Sequence, residues 1–207
     1  MSLREDLAQG LQQLGLDLDT AGQQKLLDYL ALIEKWNRVY NLTAVRDPAK
    51  MLANHVLDSL AVVPHVAGSA IADVGSGAGL PGIPLALARP SSRVTLIESN
   101  QKKSTFLAQA VLELRLANVD VAATRVEGYE RPASFDCVIS RAFSDLGEFV
   151  SLAGRLCKPD SVLAAMKGVY PYEELAQLPA GFRLRKVIAL EVPQLDAERH
   201  LVLIERA

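Results

Sequence analysis

A glycine-rich turn between an apolar strand and an apolar helix is the segment of this sequence best suited to bind a ligand. The apolar run 71–74 is followed by three glycines at alternate positions: Gly75, Gly77 and Gly79. Glycine has no Cβ and adopts positive φ, so such a turn can approach a ligand closely. The next apolar run, 94–97, ends at Glu98, which can accept hydrogen bonds from ribose hydroxyls. The spacing therefore predicts a nucleoside-containing cofactor.

Two classes of cofactor fit such a turn. The dinucleotide-binding pattern G-x-G-x-x-G requires a glycine where this chain has Leu80. Pro81 and Pro84 also delay the helix whose N-terminus would bind a pyrophosphate. The pattern that begins at Asp73 instead resembles motif I of class I S-adenosylmethionine (SAM) methyltransferases. We therefore expect SAM, with S-adenosylhomocysteine as product, and keep NAD(P) and a turn that binds no ligand as the alternatives.

The composition predicts one α/β domain with a small extension. The chain has 207 residues, of which 50% are hydrophobic, so it can bury a sizeable core. Its formal net charge is −2, so RNA binding would depend on a local basic patch. The longest apolar run, 56–71, is interrupted by Asp58, Pro64 and His65, and we do not expect it to span a membrane.

The cysteines and the N-terminus predict a cytoplasmic protein. Cys137 and Cys157 lack the spacing of metal ligands, so no metal site is expected, and free thiols suit a reducing compartment. The first residues include Arg4, Glu5 and Asp6, which is unlike a signal peptide.

Helical patterns occupy the N-terminal third of the chain. A capping box at 2–5 predicts a helix to about residue 14, and a second capping box with Thr20 as N-cap predicts a helix toward Tyr40. Asp47 before Pro48 is typical of an N-cap followed by proline at the first helical position. We expect residues 1–66 to be a helical extension packed on a core formed by 67–207.

From residue 70 onward, strand and helix patterns alternate, which predicts a parallel, doubly wound sheet. The predicted strands are 70–74, 93–98, 119–124, 135–140 and 161–166. The predicted helices are 80–89, 101–116 and 144–156, the last two opened by Asn100 and Ser144. Strand-like runs at 183–192 and 200–205 predict an antiparallel C-terminal pair at the sheet edge. The expected class is α/β, with the Rossmann-like fold of class I SAM-dependent methyltransferases.

Ligands of such sheets bind at the carboxyl ends of the strands, where this chain places a polar rim. Glu127 could bind adenosine while Val126 packs on the adenine, unless Arg125 and Glu127 are merely a solvated pair. Arg141 follows an apolar strand and must find a partner. The Arg141 guanidinium could anchor the cofactor carboxylate or an RNA phosphate. Alternatively, it could form a structural salt bridge.

The residue types that are absent from this rim limit which methyl acceptors the site could serve. Methyltransferases of exocyclic amines commonly carry [DNS]-P-P-[YF] after the fourth strand, where this chain has 140–143, Ser-Arg-Ala-Phe. Neither cysteine is placed as a nucleophile, and His55 is better explained as a packed residue than as a base. Guanine N7 is an acceptor with no proton to lose, so alignment alone could suffice for transfer.

The chain as a whole resembles the RsmG (GidB) family of bacterial small-subunit ribosomal RNA methyltransferases. The resemblance rests on residues 36–37, 40–48, 55–60, 73–84, 139–143, 167–168 and 198–204. It implies SAM-dependent methylation of N7 of one guanine, guanine 527, in the decoding-region loop of 16S rRNA, on the small subunit or a precursor. It also implies cofactor contacts at Gly75, Leu80, Val126, Glu127 and Arg141. With the motif residues Asp73, Gly77, Gly79 and Glu98, these form the predicted cofactor site.

The predicted RNA-facing side chains lie near the 48–60 helix and on the rim. They are Arg46, Lys50, Arg141, Phe143 and Lys167, with Phe143 available to stack on a base.

Three other functions stay open at this point. They are a SAM methyltransferase with another RNA or small-molecule acceptor, an NAD(P) oxidoreductase and a non-catalytic SAM- or RNA-binding module.

Overall fold

The computed structural model describes residues 2–143 and 145–207, which form a seven-stranded sheet in the order β3-β2-β1-β4-β5-β7-β6. The strands are β1 (Ala70–Val74), β2 (Arg93–Ile97), β3 (Val119–Ala122), β4 (Phe135–Ser140), β5 (Cys157–Lys167), β6 (Phe182–Ala189) and β7 (His200–Arg206). The first five strands pair in parallel, and β7 pairs antiparallel with both β5 and β6. The predicted α/β class, with its antiparallel C-terminal strand pair, is confirmed.

Eight α-helices accompany the described strands. They are α1 (Leu3–Gln13), α2 (Thr20–Tyr40), α3 (Pro48–Met51), α4 (Asp58–Leu60), α5 (Gly82–Ala88), α6 (Gln101–Glu113), α7 (Leu146–Ala153) and α8 (Tyr172–Leu175). No helix in the described part of the chain is long and apolar enough to cross a membrane.

The helix caps follow the local sequence, with one correction. The capping box of Ser2 and Glu5 is present, and Asp47 and Asn100 cap α3 and α6 as predicted. The second capping box is wrong: Thr20 is the first helical residue, and the Asp19 side chain accepts from the Gly22 amide at 2.7 Å. A carboxylate one position earlier reaches the free amides of the first turn. Ser144 lies outside the described residues.

A π-helical segment (Leu52–Leu57) joins α3 to α4. At the end of this segment, the amide of Asp58 donates to the carbonyl of Ala53, five residues earlier. In an α-helix this amide would bond to Asn54. The carbonyl of Asn54 thus becomes available to a residue outside the helix. Single π turns of this kind often mark functional sites.

Two hydrophobic clusters hold the layers together. The larger joins the N-terminal helices to one sheet face and includes Leu7, Leu26, Ile33, Ile71 and Leu96. The smaller lies on the other face, under α7. Residues of the predicted extension thus share a core with the sheet, while the division of the chain at residue 66 stays a prediction.

Several strand ends differ from the predictions. β5 begins at Cys157, four residues before the predicted start. Pro159 interrupts the strand pattern in the sequence, whereas the strand continues through it with an irregular register against β4. β3 ends at Ala122, two residues early, and β6 ends at Ala189 rather than 192.

Candidate functional site

The glycine-rich turn after β1 adopts a backbone that favours glycine. Gly75, Gly77 and Gly79 have φ of +71°, +58° and +88°. A Cβ on Gly75 would lie 2.7 Å from the Cβ of Ala142, so this glycine permits close packing. At Gly77 the nearest atom to such a Cβ is the Gly75 carbonyl oxygen at 3.8 Å. Gly77 therefore faces open space, as a residue that contacts a ligand must.

Glu98, at the end of β2, is tied to this turn. Its Oε2 accepts from the amide of Gly77 at 2.8 Å, and its Oε1 accepts from the amide of Asn100 at 2.7 Å. The side chain is buried. A carboxylate has about four lone-pair positions, so each oxygen keeps capacity for a ligand hydroxyl.

Asp73, at the end of β1, lies beneath the turn and is fully buried. Its Oδ2 accepts from the amide of Gly82 at 2.9 Å, and its Oδ1 has no partner among the described residues. Burial raises the pKa of Asp73 to about 7, against the opposing effects of the Gly82 amide and Arg141. Asp73 shapes the start of α5 in this geometry. Its direct contact with cofactor stays a prediction.

A cavity of about 150 Å³ opens above the turn, and we call it the turn cavity. It is lined by the turn 75–78, Leu80, Arg141 and Ala142, and by Leu42 and Thr43. The loop after α2 thus forms a wall of this cavity. The buried hydroxyl of Tyr29, on α2, also donates a hydrogen bond to the carbonyl of Ala78 in the turn.

Arg141 joins the turn cavity to a second cavity. Its Nη1 donates to the Asn54 carbonyl at 3.1 Å and to Asp58 Oδ2 at 3.3 Å. The other oxygen of Asp58 accepts from Nε of Arg199 at 3.0 Å. Burial raises the pKa of Asp58, while the two guanidinium groups oppose that shift. Asp58 is thus a buried carboxylate between two arginines.

The second cavity, of about 300 Å³, lies at the carboxyl ends of β4 and β5, and we call it the arginine cavity. It is lined by Asn54, Asp58, Arg141, Met166, Lys167, Gly168, Leu190, Arg199 and His200. Since Arg141 lines both cavities, a ligand in one would lie next to a ligand in the other.

His55, in the π-helical segment, is buried beside the turn cavity. Its Nε2 lies 2.9 Å from the hydroxyl of Thr43, whose backbone amide donates to Asn37 at 2.9 Å. Burial, and then the positive charge of Arg141, lower the pKa of His55 to about 4. The ring is therefore neutral at pH 7 and orders the loop that carries Thr43.

Val126 and Glu127 lie in a 3₁₀ turn (Val126–Gly128) beyond β3. Val126 is buried and Glu127 is exposed. Nη2 of Arg155 lies 2.7, 2.8 and 2.7 Å from the carbonyl oxygens of Val126, Glu127 and Tyr129. Arg155, which the sequence did not single out, thus fixes the segment predicted to hold adenosine.

The predicted RNA-facing residues occupy different environments. Arg46 and Lys50 are exposed, whereas Phe143 is half-buried with its ring 5.3 Å from that of Phe149. The Lys167 side chain is only 10% exposed and forms a 2.7 Å ion pair with Glu174. Arg141 and Lys167 line the arginine cavity together, whereas Arg46 and Lys50 line neither the turn cavity nor the arginine cavity.

Sequence reasoning missed several residues of this region. They are Tyr29, Leu42, Asp58, Arg155 and Arg199. Leu42, Asp58 and Arg199 lie inside segments that carry the family resemblance, which was the available signal. Tyr29 and Arg155 carried none, because a helix pattern does not reveal which residue hydrogen-bonds to a distant loop.

Most of the chain matches the model of one known protein family. The model of the GidB family, described as rRNA small subunit methyltransferase G, matches residues 22–202. The chain belongs to the GidB family. Two GidB relatives are each described as Ribosomal RNA small subunit methyltransferase G. The protein from Nitrosospira multiformis is 59% identical, covering 100% of this chain and 99% of its own. That from Laribacter hongkongensis is 55% identical, covering 98% of both.

Solved structures support the fold of this GidB chain. A SAM-dependent methyltransferase from Aquifex aeolicus has a TM-score of 0.59 at 22% identity, covering 79% of this chain and 96% of its own. M. jannaschii TYW2 in complex with AdoMet has a TM-score of 0.52 at 18% identity, covering 70% and 73%. The fold is that of class I SAM-dependent methyltransferases. The prediction of a SAM-dependent methyltransferase of small-subunit rRNA is thus confirmed at the level of the family.

Proposed function

We propose that this protein methylates N7 of a single guanine, guanine 527, in the decoding-region loop of 16S rRNA, on the small subunit or a precursor. One observation carries the proposal: Arg141 lines both the turn cavity and the arginine cavity. A cofactor above the turn and a base in the arginine cavity would therefore be neighbours. Methyl transfer needs such an arrangement, because it depends on in-line approach of the two reactants.

The residues around the turn fit SAM. The open space at Gly77 leaves room for the ligand, and Glu98 beside it offers acceptor oxygens to ribose hydroxyls. Leu80 and Arg141 line the turn cavity, where the guanidinium of Arg141 could pair with the amino-acid carboxylate. Val126 and Glu127 would contact the adenosine. When bound, SAM supplies an electrophilic methyl group on a sulfonium.

The arginine cavity suits an acceptor that belongs to a polyanion. Arg141 and Arg199 share one carboxylate, Asp58, so the three groups together keep one positive charge. Their donors that are not bonded to Asp58 can pair with phosphate oxygens, as arginine commonly does. Lys167 lies on the same wall, and its charge is balanced by Glu174.

Three titratable groups around the two cavities, His55, Asp58 and Asp73, are poorly placed to act as a general base, which favours an acceptor that needs none. His55 bonds to Thr43 and resists protonation above about pH 4. Asp73 is fully buried beneath the turn, and both oxygens of Asp58 are bonded to arginines. N7 of neutral guanine carries no proton, so these residues need only hold and orient the reactants. The half-buried ring of Phe143 could stack on the guanine as it becomes cationic.

The RNA would extend from the cavities onto the surrounding surface. Arg46 and Lys50 are exposed near the start of α3 and could contact the phosphates of the RNA.

A mapping experiment tests the proposal. Purified protein and methyl-labelled SAM are incubated with small subunits from cells that lack this methylation, and the rRNA is cut into defined fragments. We expect label only in the fragment that contains guanine 527. Label in a different fragment would contradict the proposed target.

A further inference from the structure

Two tyrosines pack together beyond the carboxyl end of β5, and we call them the tyrosine platform (Tyr170 and Tyr172). Tyr172 is exposed and Tyr170 is half-buried. Their ring centroids are 4.3 Å apart with 37° between the planes. The Tyr172 side chain is 75% exposed, and the neighbouring Val169 is 71% exposed. Exposed aromatic rings next to a cavity are typical of binding surfaces.

The platform is held in place from both sides. Glu174, in α8, accepts from the amide of Leu146 and from Nζ of Lys167, each at 2.7 Å. Nδ1 of His200 lies 3.0 Å from the carbonyl oxygen of Gly168, and its ring meets that of Tyr170 edge-on at 5.7 Å. A platform so braced can bind a flat partner without first being ordered.

The platform is continuous with the arginine cavity. A groove of about 570 Å³ runs along it, lined by 169–170, Tyr172, 189–190 and 198–200. Three of these residues, Leu190, Arg199 and His200, also line the arginine cavity. The turn cavity, the arginine cavity and this groove therefore share lining residues in sequence, from the glycine-rich turn through Arg141 and Arg199 to Tyr172.

Two properties of this groove favour a nucleobase as its occupant. An RNA whose target base enters the arginine cavity must lay its flanking nucleotides over the rim, and Tyr172 lies on that rim. Proteins bind unpaired bases by stacking them on aromatic rings, with arginines holding the backbone. Glu198 also lines the groove and repels phosphate, so the backbone would run on the Arg199 side with a base over the ring.

We propose that the tyrosine platform stacks an unpaired base flanking the methylated guanine, with Tyr172 as the principal contact. This inference rests on the proposed function in that it places the acceptor base in the arginine cavity. It adds a binding surface for the substrate RNA that lies outside the predicted set of basic side chains.

The test compares Tyr172→Ala with Tyr172→Phe, which keeps the ring. Total transfer of labelled methyl is measured against small subunits and against protein-free 16S rRNA, whichever atom receives it. Loss of one stacked base typically changes affinity by about 5- to 100-fold. We expect Tyr172→Ala to raise KM for both substrates by about tenfold, and Tyr172→Phe to remain within twofold of the wild type. Affinity for S-adenosylhomocysteine should not change.

Three results would overturn the proposal. The first is an unchanged KM in the Tyr170→Ala/Tyr172→Ala protein. The second is an equal loss in Tyr172→Phe, because the contact would then use the hydroxyl. The third is a Tyr172→Ala protein whose KM is raised with small subunits, while its KM and its filter binding with protein-free rRNA are unchanged. That result would mean that Tyr172 contacts a ribosomal protein instead of a base. Leu112→Ala, 72% exposed on α6, is the control for loss of surface apolar area. Methylation at an atom other than N7 would refute the proposed function and leave this comparison valid.

Discussion

The hydroxyl of Tyr29, in the middle of α2, donates a hydrogen bond to the carbonyl oxygen of Ala78 inside the glycine-rich turn. Tyr29 is fully buried, and burial raises the pKa of its phenol well above the ordinary value, so it remains a neutral donor. A helix from the N-terminal third of the chain thus fixes the turn predicted to hold SAM. We therefore predict that Tyr29 is a positioning residue for the cofactor.

Tyr29→Phe should therefore weaken SAM binding by about 3- to 10-fold, because it removes one buried hydrogen bond and leaves the turn less ordered. The measurement is titration calorimetry with S-adenosylhomocysteine. Ile33→Val, buried in the same helix, costs comparable stability without touching that bond and serves as the control. A lower Tm in Tyr29→Phe with unchanged cofactor affinity would mean that the bond is only structural.

Glu98→Ala should weaken cofactor binding by about 10- to 100-fold if the carboxylate accepts ribose hydroxyls. Since Glu98 also bonds to the amides of Gly77 and Asn100, loss of affinity alone does not identify the ribose contact. A 2′-deoxy analogue of S-adenosylhomocysteine separates the two effects. The wild type should bind the analogue more weakly than the parent, and Glu98→Ala should bind both equally. An equal preference for the parent in both proteins would place the ribose elsewhere.

Arg46→Ala/Lys50→Ala should flatten the salt dependence of RNA binding. Each lost phosphate contact changes the log–log slope by about one unit. Filter binding of 16S rRNA across a range of salt concentrations measures it. Arg183→Ala/Arg185→Ala is the control, because it also removes two exposed positive charges, here from edge strand β6, where both arginines pair with Glu205. Equal slopes for the two double variants would assign Arg46 and Lys50 to the solvated surface.

His55 should make the fold sensitive to mild acid. Its pKa is about 4 in the folded protein and about 6.5 when unfolded, so the unfolded chain binds the proton first as the pH falls. Between pH 7 and pH 4.5 the wild type should lose about 2 kcal/mol of unfolding free energy relative to His55→Gln. Urea unfolding of both proteins at the two pH values measures this difference. A constant difference would mean that the pKa of His55 is the same in the folded and unfolded states.

The sequence predicted the sheet because each parallel strand is a short apolar run bounded by polar or turn residues. The strand 135–140 and the C-terminal antiparallel pair were predicted on this basis. The π-helical segment could not be predicted, since an amphipathic pattern does not distinguish a π turn within a helix. Thr20 was predicted as N-cap, but Asp19 fits the cap preference as well, and the sequence pattern does not show which of the two residues has the extended backbone of an N-cap.

The candidate site was predictable where its residues belong to neighbouring elements of one strand–turn–helix pattern. The turn 75–79 and Glu98 belong to adjacent strands, so their meeting follows from the strand–turn–helix pattern. The ion-paired group of Asp58, Arg141 and Arg199 joins three distant segments. A single sequence shows that each charge needs a partner but does not show which one. The same holds for Arg155, whose three carbonyl partners lie more than twenty residues earlier.

The identity of the methylated nucleoside distinguishes transfer to guanine N7 from every other acceptor atom. Purified protein, SAM with a deuterated methyl group and small subunits lacking the modification are incubated, and the rRNA is digested to nucleosides for mass spectrometry. We expect deuterated N7-methylguanosine, because N7 of neutral guanine carries no proton and its methylation needs no general base. Deuterium in an N2-methylated guanosine, in a carbon-methylated base or in a ribose-methylated nucleoside would contradict it.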